Sequence, residues 1–377
     1  MNNMKIIQIQ SNDRQNQKAF INFPFRLYKN TPQWVPPIRM EIIKIFKPDY
    51  AFYNYGEAAF FLAKDDQGEV LGRLATANNH RYNTFYHSNT AFFYYFECVD
   101  KPAVAEGLFS KGFEWVKSQG LNHVLGPKGF MVLDGFGMLV EGFEHQPAFS
   151  QPYNLPYYPD LVEAQGFTKV KDILTGWIDR STKWPEKILK AAQILERRKG
   201  IHAPEISKKR ALLSIKDDLQ KLYNESLAGP AGNPPITDED MDAMVSQLYW
   251  IADPKLIKLI YQEDQPIGWM LAYPDVGAAL QRSKGRLFPL GWLQIMLESK
   301  RSRWINLNGA GVIEEYQRLG VTAVLINELY KSVMESDRYQ YAELLQFREE
   351  NINSLLEASN VVDIHFHKRH RLYEKFL

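Results

Sequence analysis

The sequence is poor in cysteine, in net charge and in long hydrophobic runs. Its one cysteine among 377 residues, Cys98, excludes an intramolecular disulfide and a thiolate metal cage. Lys and Arg number 45 against 44 Asp and Glu, so the net charge of +1 gives no basic field for nucleic-acid binding. No run approaches the roughly 20 apolar residues of a membrane span, and residues 1–18 lack the apolar core of a signal peptide. These features predict a cytoplasmic protein with no nucleic-acid partner.

A connection between a strand and a helix near the C-terminal end is the most informative stretch. Residues 304–311 are typical of a strand, and residues 321–334 have the apolar period of a helix buried on one face. The connection reads Val312-Ile-Glu-Glu-Tyr-Gln-Arg-Leu-Gly320. A helix that begins after such a turn presents unpaired backbone N–H groups, which bind phosphate. The alternative is that Gly320 serves the turn sterically.

Two hairpin patterns occur about half a chain apart. Residues 61–75 and 259–272 each read as an apolar strand, a turn with Asp and Gln, and a second apolar strand that contains Gly. In the first half, residues 91–98, 103–119 and 122–125 follow as strand, helix and strand. In the second half, residues 304–311, 321–334 and 339–347 do the same. The repeated order predicts an internal duplication.

The connection resembles the pyrophosphate loop of the acyl-CoA N-acyltransferase superfamily (GNAT fold), Gln/Arg-x-x-Gly-x-Gly/Ala. It departs from that pattern at Thr322, where a larger side chain replaces a small one. The resemblance implies an α/β fold of two tandem GNAT-like domains, each a mixed twisted sheet flanked by helices. It also implies that acetyl-CoA or another acyl-CoA is a substrate. The residues that it assigns to acyl-CoA binding are Val312, Gln317, Arg318, Leu319, Gly320, Val321, Thr322 and Asn351.

The two predicted domains differ at the loop that precedes the corresponding helix. In the first half this loop carries Asp100, which repels a pyrophosphate, and Pro102, which lacks an N–H donor. We therefore expect residues 1–180 to form a degenerate GNAT-like domain. Residues 181–377 are expected to form the GNAT-like domain that binds acyl-CoA.

Glu343 is the first candidate for the catalytic base, because acyl transfer to an amine needs a proton acceptor. Its strand is apolar, and burial raises the pKa of a carboxyl group. The alternative is a glutamate on a solvated sheet edge. Members of the superfamily often place a tyrosine acid on the helix after Asn351; none occurs there, and Tyr373 is a distant substitute. No metal site is predicted, because His365, His367 and His370 lack companion ligands and are expected on a solvated strand face.

Two segments are candidate substrate surfaces. Residues 126–158 are rich in glycine and aromatic residues, which suits a groove or a long structural loop. Residues 282–303 are apolar with cations at both ends, which suits a membrane surface, an acyl-chain tunnel or a helix over the sheet. The predicted function is acyl transfer, with acetyl expected, to a small-molecule amine or a peptide. The alternatives are a non-catalytic binding protein, or an aminoacyl or long-chain acyl transferase that uses both halves.

Overall fold

The computed structural model of the chain describes residues 4–131, 134–182, 186–198, 200–229, 232–317, 319–348 and 362–377. The chain divides into two compact units. Unit 1 comprises Met1–Ile173, Leu280–Gly291 and Lys368–Leu377, and unit 2 comprises Leu174–Ala279 and Trp292–His367. In the described part of the chain, no helix has the length and apolar character needed to cross a membrane.

Strands and helices are both distributed along the whole described chain. The strands are β1 (Lys5–Gln8), β2 (Gly56–Lys64), β3 (Val70–Asn79), β4 (Thr90–Cys98), β5 (His123–Gly126), β6 (Met138–Glu141), β7 (Thr168–Asp179), β8 (Ile201–His202), β9 (Ile257–Gln262), β10 (Gln265–Pro274), β11 (Trp304–Val312), β12 (Tyr341–Arg348) and β13 (His365–Phe376). The helices are α1 (Arg14–Leu27), α2 (Arg39–Lys44), α3 (His80–Tyr86), α4 (Pro102–Ser118), α5 (Tyr158–Glu163), α6 (Glu186–Arg198), α7 (Ala211–Ser214), α8 (Lys216–Ser226), α9 (Asp238–Ile251), α10 (Gly277–Ser283), α11 (Gly291–Arg301) and α12 (Val321–Glu335). Short 3₁₀ turns cover Ala51–Asn54, Pro254–Leu256 and Glu314–Tyr316.

Unit 1 is built on a sheet of strand order β1-β2-β3-β4-β5-β13. Strands β2 and β3 form the predicted hairpin, closed by Asp65, whose carboxylate accepts from the backbone of Gln67 and Glu69 at 3.0 and 2.8 Å. Helix α4 connects β4 to the parallel strand β5. Its Phe109 packs against Phe93 with ring centroids 5.4 Å apart, so an aromatic core holds the helix on the sheet.

Unit 2 is built on a sheet of strand order β12-β11-β10-β9-β8. Strands β9 and β10 form the second predicted hairpin, β10 and β11 are antiparallel, and β11 and β12 are parallel. Helix α12 connects the two parallel strands and buries Val321, Leu325 and Leu329 of its predicted apolar face, together with Val324. Helix α8 is tied to β10 by a hydrogen bond of 3.1 Å from the indole of Trp269 to the hydroxyl of Ser226.

The C-terminal end of the chain differs from the sequence-based expectation. By its place after the other elements, the sequence over residues 361–376 predicts a pair of strands; the structure has one continuous strand there, β13. Its last residues pair with β5 in unit 1, with Tyr373 opposite Gly126. The boundaries between the units fall within β7, α10, α11 and β13. The division into domains 1–180 and 181–377 stays a prediction, and the predicted helix after Asn351 lies outside the described residues.

Candidate functional site

Strands β11 and β12 of unit 2 separate part-way along their length. Their parallel register runs from Trp304 opposite Tyr341 to Leu307 opposite Leu344. Beyond this last pair β11 continues to Val312 and β12 to Arg348. We call the gap between these two ends the β11–β12 cleft. Backbone groups on the inner side of separated strands are available to an extended ligand, which pairs as an added strand would.

Val312 is the residue at which β11 turns its backbone into this cleft. It lies opposite Gly268 of β10, and the N–H of the next residue, Ile313, donates to Ile267 at 3.1 Å. Because consecutive residues of a strand direct their backbone groups to opposite sides, the N–H and C=O of Val312 face the cleft. The carbonyl accepts from the side chain of Gln317 at 3.2 Å. This bond folds the predicted pyrophosphate loop back towards the cleft.

The N-terminus of α12 lies directly after that loop. Gly320 is the N-cap residue and has φ 88°, a conformation that glycine adopts at low cost. A Cβ at this position would lie 2.7 Å from Cδ1 of Leu195 on α6, so Gly320 also has a packing role. Thr322 and Leu319 are exposed, and the first turn of α12 contains no acidic residue. No carboxylate of the first turn itself therefore opposes a phosphate, although Glu314 and Glu315 lie exposed in the loop before it. Arg318 lies outside the described residues.

Glu343 lies at the mouth of the cleft, one residue before the last pair. It is 6% exposed and stands opposite Asn306 of β11. Its carboxylate oxygen lies 3.0 Å from Nε2 of His367, whose side chain is 13% exposed. The expectation that the histidines form a solvated face is therefore wrong for His367, and also for His370, which is 2% exposed. A glutamate paired with a histidine can hold and pass on a proton.

A second polar cluster, which sequence reasoning missed, crosses the cleft beyond the last pair. Gln346 of β12 donates from Nε2 to Oδ1 of Asn308 at 3.0 Å, and Nδ2 of Asn308 donates to the hydroxyl of Tyr273 at 3.1 Å. Gln346 has φ 65°, which breaks the alternation of β12 and turns its side chain towards β11. The sequence holds no periodic signal for such a break, so these three residues could not be found from it.

An apolar cavity lies between α12 and the sheet on the other face of unit 2. It is partly open to solvent. The cavity begins at Leu307 and Leu344, the last pair before the cleft, and extends to Arg180, whose guanidinium donates to the carbonyl of Ser336 at 2.6 Å beyond the end of α12. The apolar lining residues include Ile178, Met270, Ile305, Ile326, Leu329, Tyr330, Val333 and Ala342. A hydrocarbon chain matches this lining.

The remaining predicted site residues are not brought to this cleft by the described structure. Tyr373 belongs to unit 1, is fully buried and donates to Oε1 of Glu163 at 2.8 Å. Burial, with the neighbouring Glu163, raises the pKa of Tyr373 far above its usual value. Asn351 lies outside the described residues. Among the described residues, no group of three or more His, Cys, Asp or Glu side chains is arranged to hold a metal ion.

In unit 1 the pairing of the corresponding strands, β4 and β5, ends at Phe92 opposite Leu125, one residue before β5 itself ends. Cys98 lies opposite Gly72 as Val312 lies opposite Gly268. The N–H of Cys98 donates to the hydroxyl of Tyr158 at 3.1 Å, and its carbonyl accepts from the hydroxyl of Tyr157 at 2.7 Å. Burial raises the pKa of both tyrosines, which therefore remain neutral. Side chains thus bond both backbone groups of Cys98 in unit 1, whereas in the described part of unit 2 the side chain of Gln317 bonds the carbonyl of Val312 only.

Solved structures of the same architecture match the chain along its whole length. A tandem GNAT protein from the clavulanic acid biosynthesis pathway, solved without acetyl-CoA, is 10% identical with a TM-score of 0.56, and the match covers 99% of this chain and 98% of the other. The chain has the tandem GNAT fold. A GCN5-related N-acetyltransferase from Sphaerobacter thermophilus, which also has the GNAT fold, is 14% identical with a TM-score of 0.50 over 99% of this chain and 95% of the other. The predicted fold class is thus confirmed.

Curated relatives are similar over nearly the full chain. Protein YghO of Escherichia coli strain K12 is 27% identical over 366 residues, covering 95% of this chain and 92% of the relative. The bacterial ceramide synthase of Caulobacter vibrioides is 25% identical over 372 residues, covering 96% of this chain and 94% of the relative. No family model matches the chain.

Proposed function

We propose that unit 2 transfers an acyl group from an acyl-CoA to an amine and that the acyl chain is long. The observation that carries this proposal is the β11–β12 cleft, which combines an inward-facing backbone at Val312, a helix N-terminus at Gly320 and a paired carboxylate at Glu343. These are the three groups that a thioester donor and an attacking amine require. They come from one unit and lie along one strand–loop–helix connection and its neighbouring strand.

The donor is expected to lie along the cleft with its pyrophosphate at the N-terminus of α12. The N–H groups of Gly320, Val321 and Thr322 supply donors for the phosphates. The N–H of Leu319, which the sequence also assigned to this role, donates instead to the carbonyl of Tyr316 at 3.1 Å. Gln317, Arg318 and Asn351 are assigned to donor binding by the resemblance of the loop to the superfamily. The backbone of Val312 then pairs with the extended arm that connects pyrophosphate to thioester. Thr322 is exposed and uncharged, so its side chain does not repel the phosphates.

In the proposed reaction the amine nitrogen attacks the thioester carbonyl carbon. The C–N bond forms and the C–S bond breaks, so the products are an amide and free CoA thiol. Glu343 accepts the proton that the amine loses, and His367 holds the carboxylate in place through its 3.0 Å contact. The CoA sulfur takes up one proton, which balances the reaction. We assign no proton transfer to Tyr373, because its hydroxyl is bonded to Glu163 in a fully buried site.

The length of the acyl chain is the point on which we depart from the sequence-based expectation of acetyl transfer. The apolar cavity that begins at Leu307 and Leu344 suits a hydrocarbon chain, whereas an acetyl group is too short to extend into it. A ceramide is the amide of a fatty acid and a long-chain amino alcohol, and the ceramide synthase of Caulobacter vibrioides is similar to this chain over 372 residues. We therefore propose a long-chain amino alcohol as the acceptor class and a fatty acyl-CoA as the donor.

The test is an acylation assay with a long-chain amino alcohol and two donors, acetyl-CoA and palmitoyl-CoA. Free thiol and amide are measured together, so that hydrolysis of the thioester is not mistaken for transfer. We expect amide from palmitoyl-CoA and little from acetyl-CoA. Amide from acetyl-CoA alone would restore the acetyl prediction. Binding of CoA without amide from either donor, across a panel of amines, would favour a non-catalytic binding protein.

A further inference from the structure

Unit 1 exposes large apolar side chains on two neighbouring segments that the proposed reaction does not use. On α2, Met40 is 45% and Ile43 is 44% exposed. On the loop that follows α10, Phe288 is 63% and Leu290 is 61% exposed. We call these four side chains the apolar patch. Side chains of this size are rarely left in water without a partner when they lie together.

Hydrogen bonds hold the two segments together. The backbone N–H of Arg39 donates to the carbonyl of Gly285 at 2.9 Å, and Nε of Arg39 donates to the carbonyl of Lys284 at 3.0 Å. Gln281, on α10, donates to the carbonyls of Pro32 and Trp34 at 2.6 and 3.0 Å. The patch therefore lies on a joined surface, and Met40 and Ile43, three residues apart, share one side of α2.

The four side chains of the apolar patch are not needed to hold their segments against the core of unit 1. Their neighbours Ile42 and Leu287 are 3% and 7% exposed, so each segment already buries an apolar side chain against the unit. Phe288 and Leu290 come after the buried Leu287 in sequence and are themselves exposed. Met40 and Ile43 lie on the side of α2 away from Ile42. The sequence has thus kept apolar residues on the outward side of both segments.

The charged side chains around the apolar patch are all positive on residues 280–291 and mostly positive on α2. Arg282 near the end of α10 and Lys284 and Arg286 on the loop are exposed, and residues 280–291 include no acidic residue. On α2, Glu41 accepts from Lys44 at 2.8 Å and is neutralised by it. Burial and the nearby Arg286 both lower the pKa of Arg39, which shows that cations crowd together here. Such a surface attracts an anionic partner.

We propose that this surface docks on an anionic lipid bilayer, with the apolar patch in the boundary between head groups and acyl chains and the cations against lipid phosphates. Apolar insertion and cationic attraction together give stable peripheral binding, which neither gives alone. A protein partner would be expected to bind a larger surface than this one, with few charges at its centre. This inference does not rest on the proposed acyl transfer.

The test is flotation of the full chain with phosphatidylcholine vesicles that contain either no anionic lipid or about 30% phosphatidylglycerol. We expect the chain to float with the anionic vesicles and to be released by salt. Each cation near the surface contributes about fivefold to affinity, so Lys284→Gln with Arg286→Gln should weaken binding about 25-fold. Phe288→Ser with Leu290→Ser should weaken it at least tenfold.

Matched controls separate docking from unfolding. Phe85→Ser removes a side chain that is 43% exposed on α3 of the same unit, and it should leave vesicle binding unchanged. The glutamine pair alters exposed side chains and should keep the melting temperature of the parent, so its effect remains readable if the serine pair unfolds. Failure of the parent to float with anionic vesicles would overturn the proposal. So would a concentration-dependent dimer that the serine pair abolishes, because the patch would then belong to a second copy.

Discussion

Cys98 in unit 1 and Val312 in unit 2 occupy equivalent places and have opposite surroundings. Each ends the strand before the connecting helix, each lies opposite a glycine of the preceding strand, and each is followed by a residue that bonds back to that strand. Tyr157 and Tyr158 occupy the backbone groups of Cys98. The backbone of Val312 is bonded instead by the side chain of Gln317, from the loop itself. One fold therefore carries a closed and an open version of the same cleft.

The helix that follows each strand repeats the contrast. Helix α4 begins with Pro102, which has no N–H to donate, and Asp100 lies exposed just before it. Helix α12 begins after Gly320, which has no proline beside it to remove a donor. Neither helix has an acidic residue in its first turn, and Glu314 and Glu315 lie exposed in the loop before α12. The two units share the same arrangement of strands and differ in the hydroxyls of Tyr157 and Tyr158 and in the N-terminus of the connecting helix. These differences, and not the sheet, distinguish unit 1 from the candidate active site of unit 2.

The largest expected effect concerns the base that unit 2 alone is proposed to use. Glu343→Gln should keep CoA binding and lower turnover by roughly two to four orders of magnitude, because glutamine cannot accept the proton of the amine. Turnover is followed as free thiol released from palmitoyl-CoA. Glu263→Gln, at the exposed turn between β9 and β10, is the control and should behave as the parent. Parent-like turnover of Glu343→Gln would move the proton transfer to another residue.

The next effect contrasts the two helix ends directly. Thr322→Asp places a carboxylate where the pyrophosphate is expected and should weaken CoA binding about tenfold or more. An acidic residue in a first helical turn favours the helix, so the melting temperature should not fall. Ala103→Asp makes the same change in the first turn of α4 and should leave CoA binding unchanged. Equal losses from both variants, measured by calorimetric titration, would end the distinction between the units.

A smaller effect sharpens the account of unit 1, whose sheet includes the end of the chain. Burial by itself would raise the pKa of Asp172, but hydrogen bonds from Arg371, Lys169 and Arg369 lower it to about 2. A lowered folded pKa stabilises the fold above the unfolded pKa, and this stabilisation disappears as the pH falls from about 4 to about 2. Asp172→Asn should therefore cost about 2 kcal/mol at pH 7 and much less in acid.

This prediction is checked by urea unfolding at neutral pH and at about pH 3, where the difference between parent and variant should shrink. Asp49→Asn, at an exposed position of the same unit, serves as the control and should cost little at either pH. A loss that is as large in acid as at neutral pH would mean that Asp172 acts through packing and not through its charge.

The smallest effect tests the closure of the unit 1 cleft. Tyr158→Phe removes the hydroxyl that bonds the N–H of Cys98 in a fully buried site, so it should cost about 1.5 kcal/mol of unfolding free energy. Tyr249→Phe, on an exposed side chain, should cost little. Urea unfolding measures both. A variant that remains as stable as the parent would show that the tyrosine does not close the strand edge.

Much of the fold could be predicted because its signals are local. The apolar period of α12, the turn residues of the two hairpins and the order of elements all lie within short stretches of sequence, and the structure confirms them. The end of β13 could not be predicted in this way. Its pairing with β5 joins Tyr373 to Gly126, residues far apart in the chain, and no local pattern encodes a partner strand.

The candidate site divides in the same way. Gly320 and Glu343 could be named as candidates because a strand, a turn and a helix frame them in sequence, and their roles stay a prediction. Asn308 and Gln346 were missed because their contact depends on one residue with positive φ inside a strand, which reverses the face of a side chain without a visible sequence signal. The pairing of His367 with Glu343 was missed for a related reason, since it joins β13 to β12.

Calorimetric titration of the full chain with CoA tests the central contrast most directly, because it measures how many CoA molecules bind to each chain. The account predicts one CoA per chain, with the site weakened by Thr322→Asp and unaffected by Ala103→Asp. Two molecules per chain would show that Tyr157 and Tyr158 do not close the unit 1 cleft. Binding that Ala103→Asp weakens and Thr322→Asp does not would place the site in unit 1 and contradict the account.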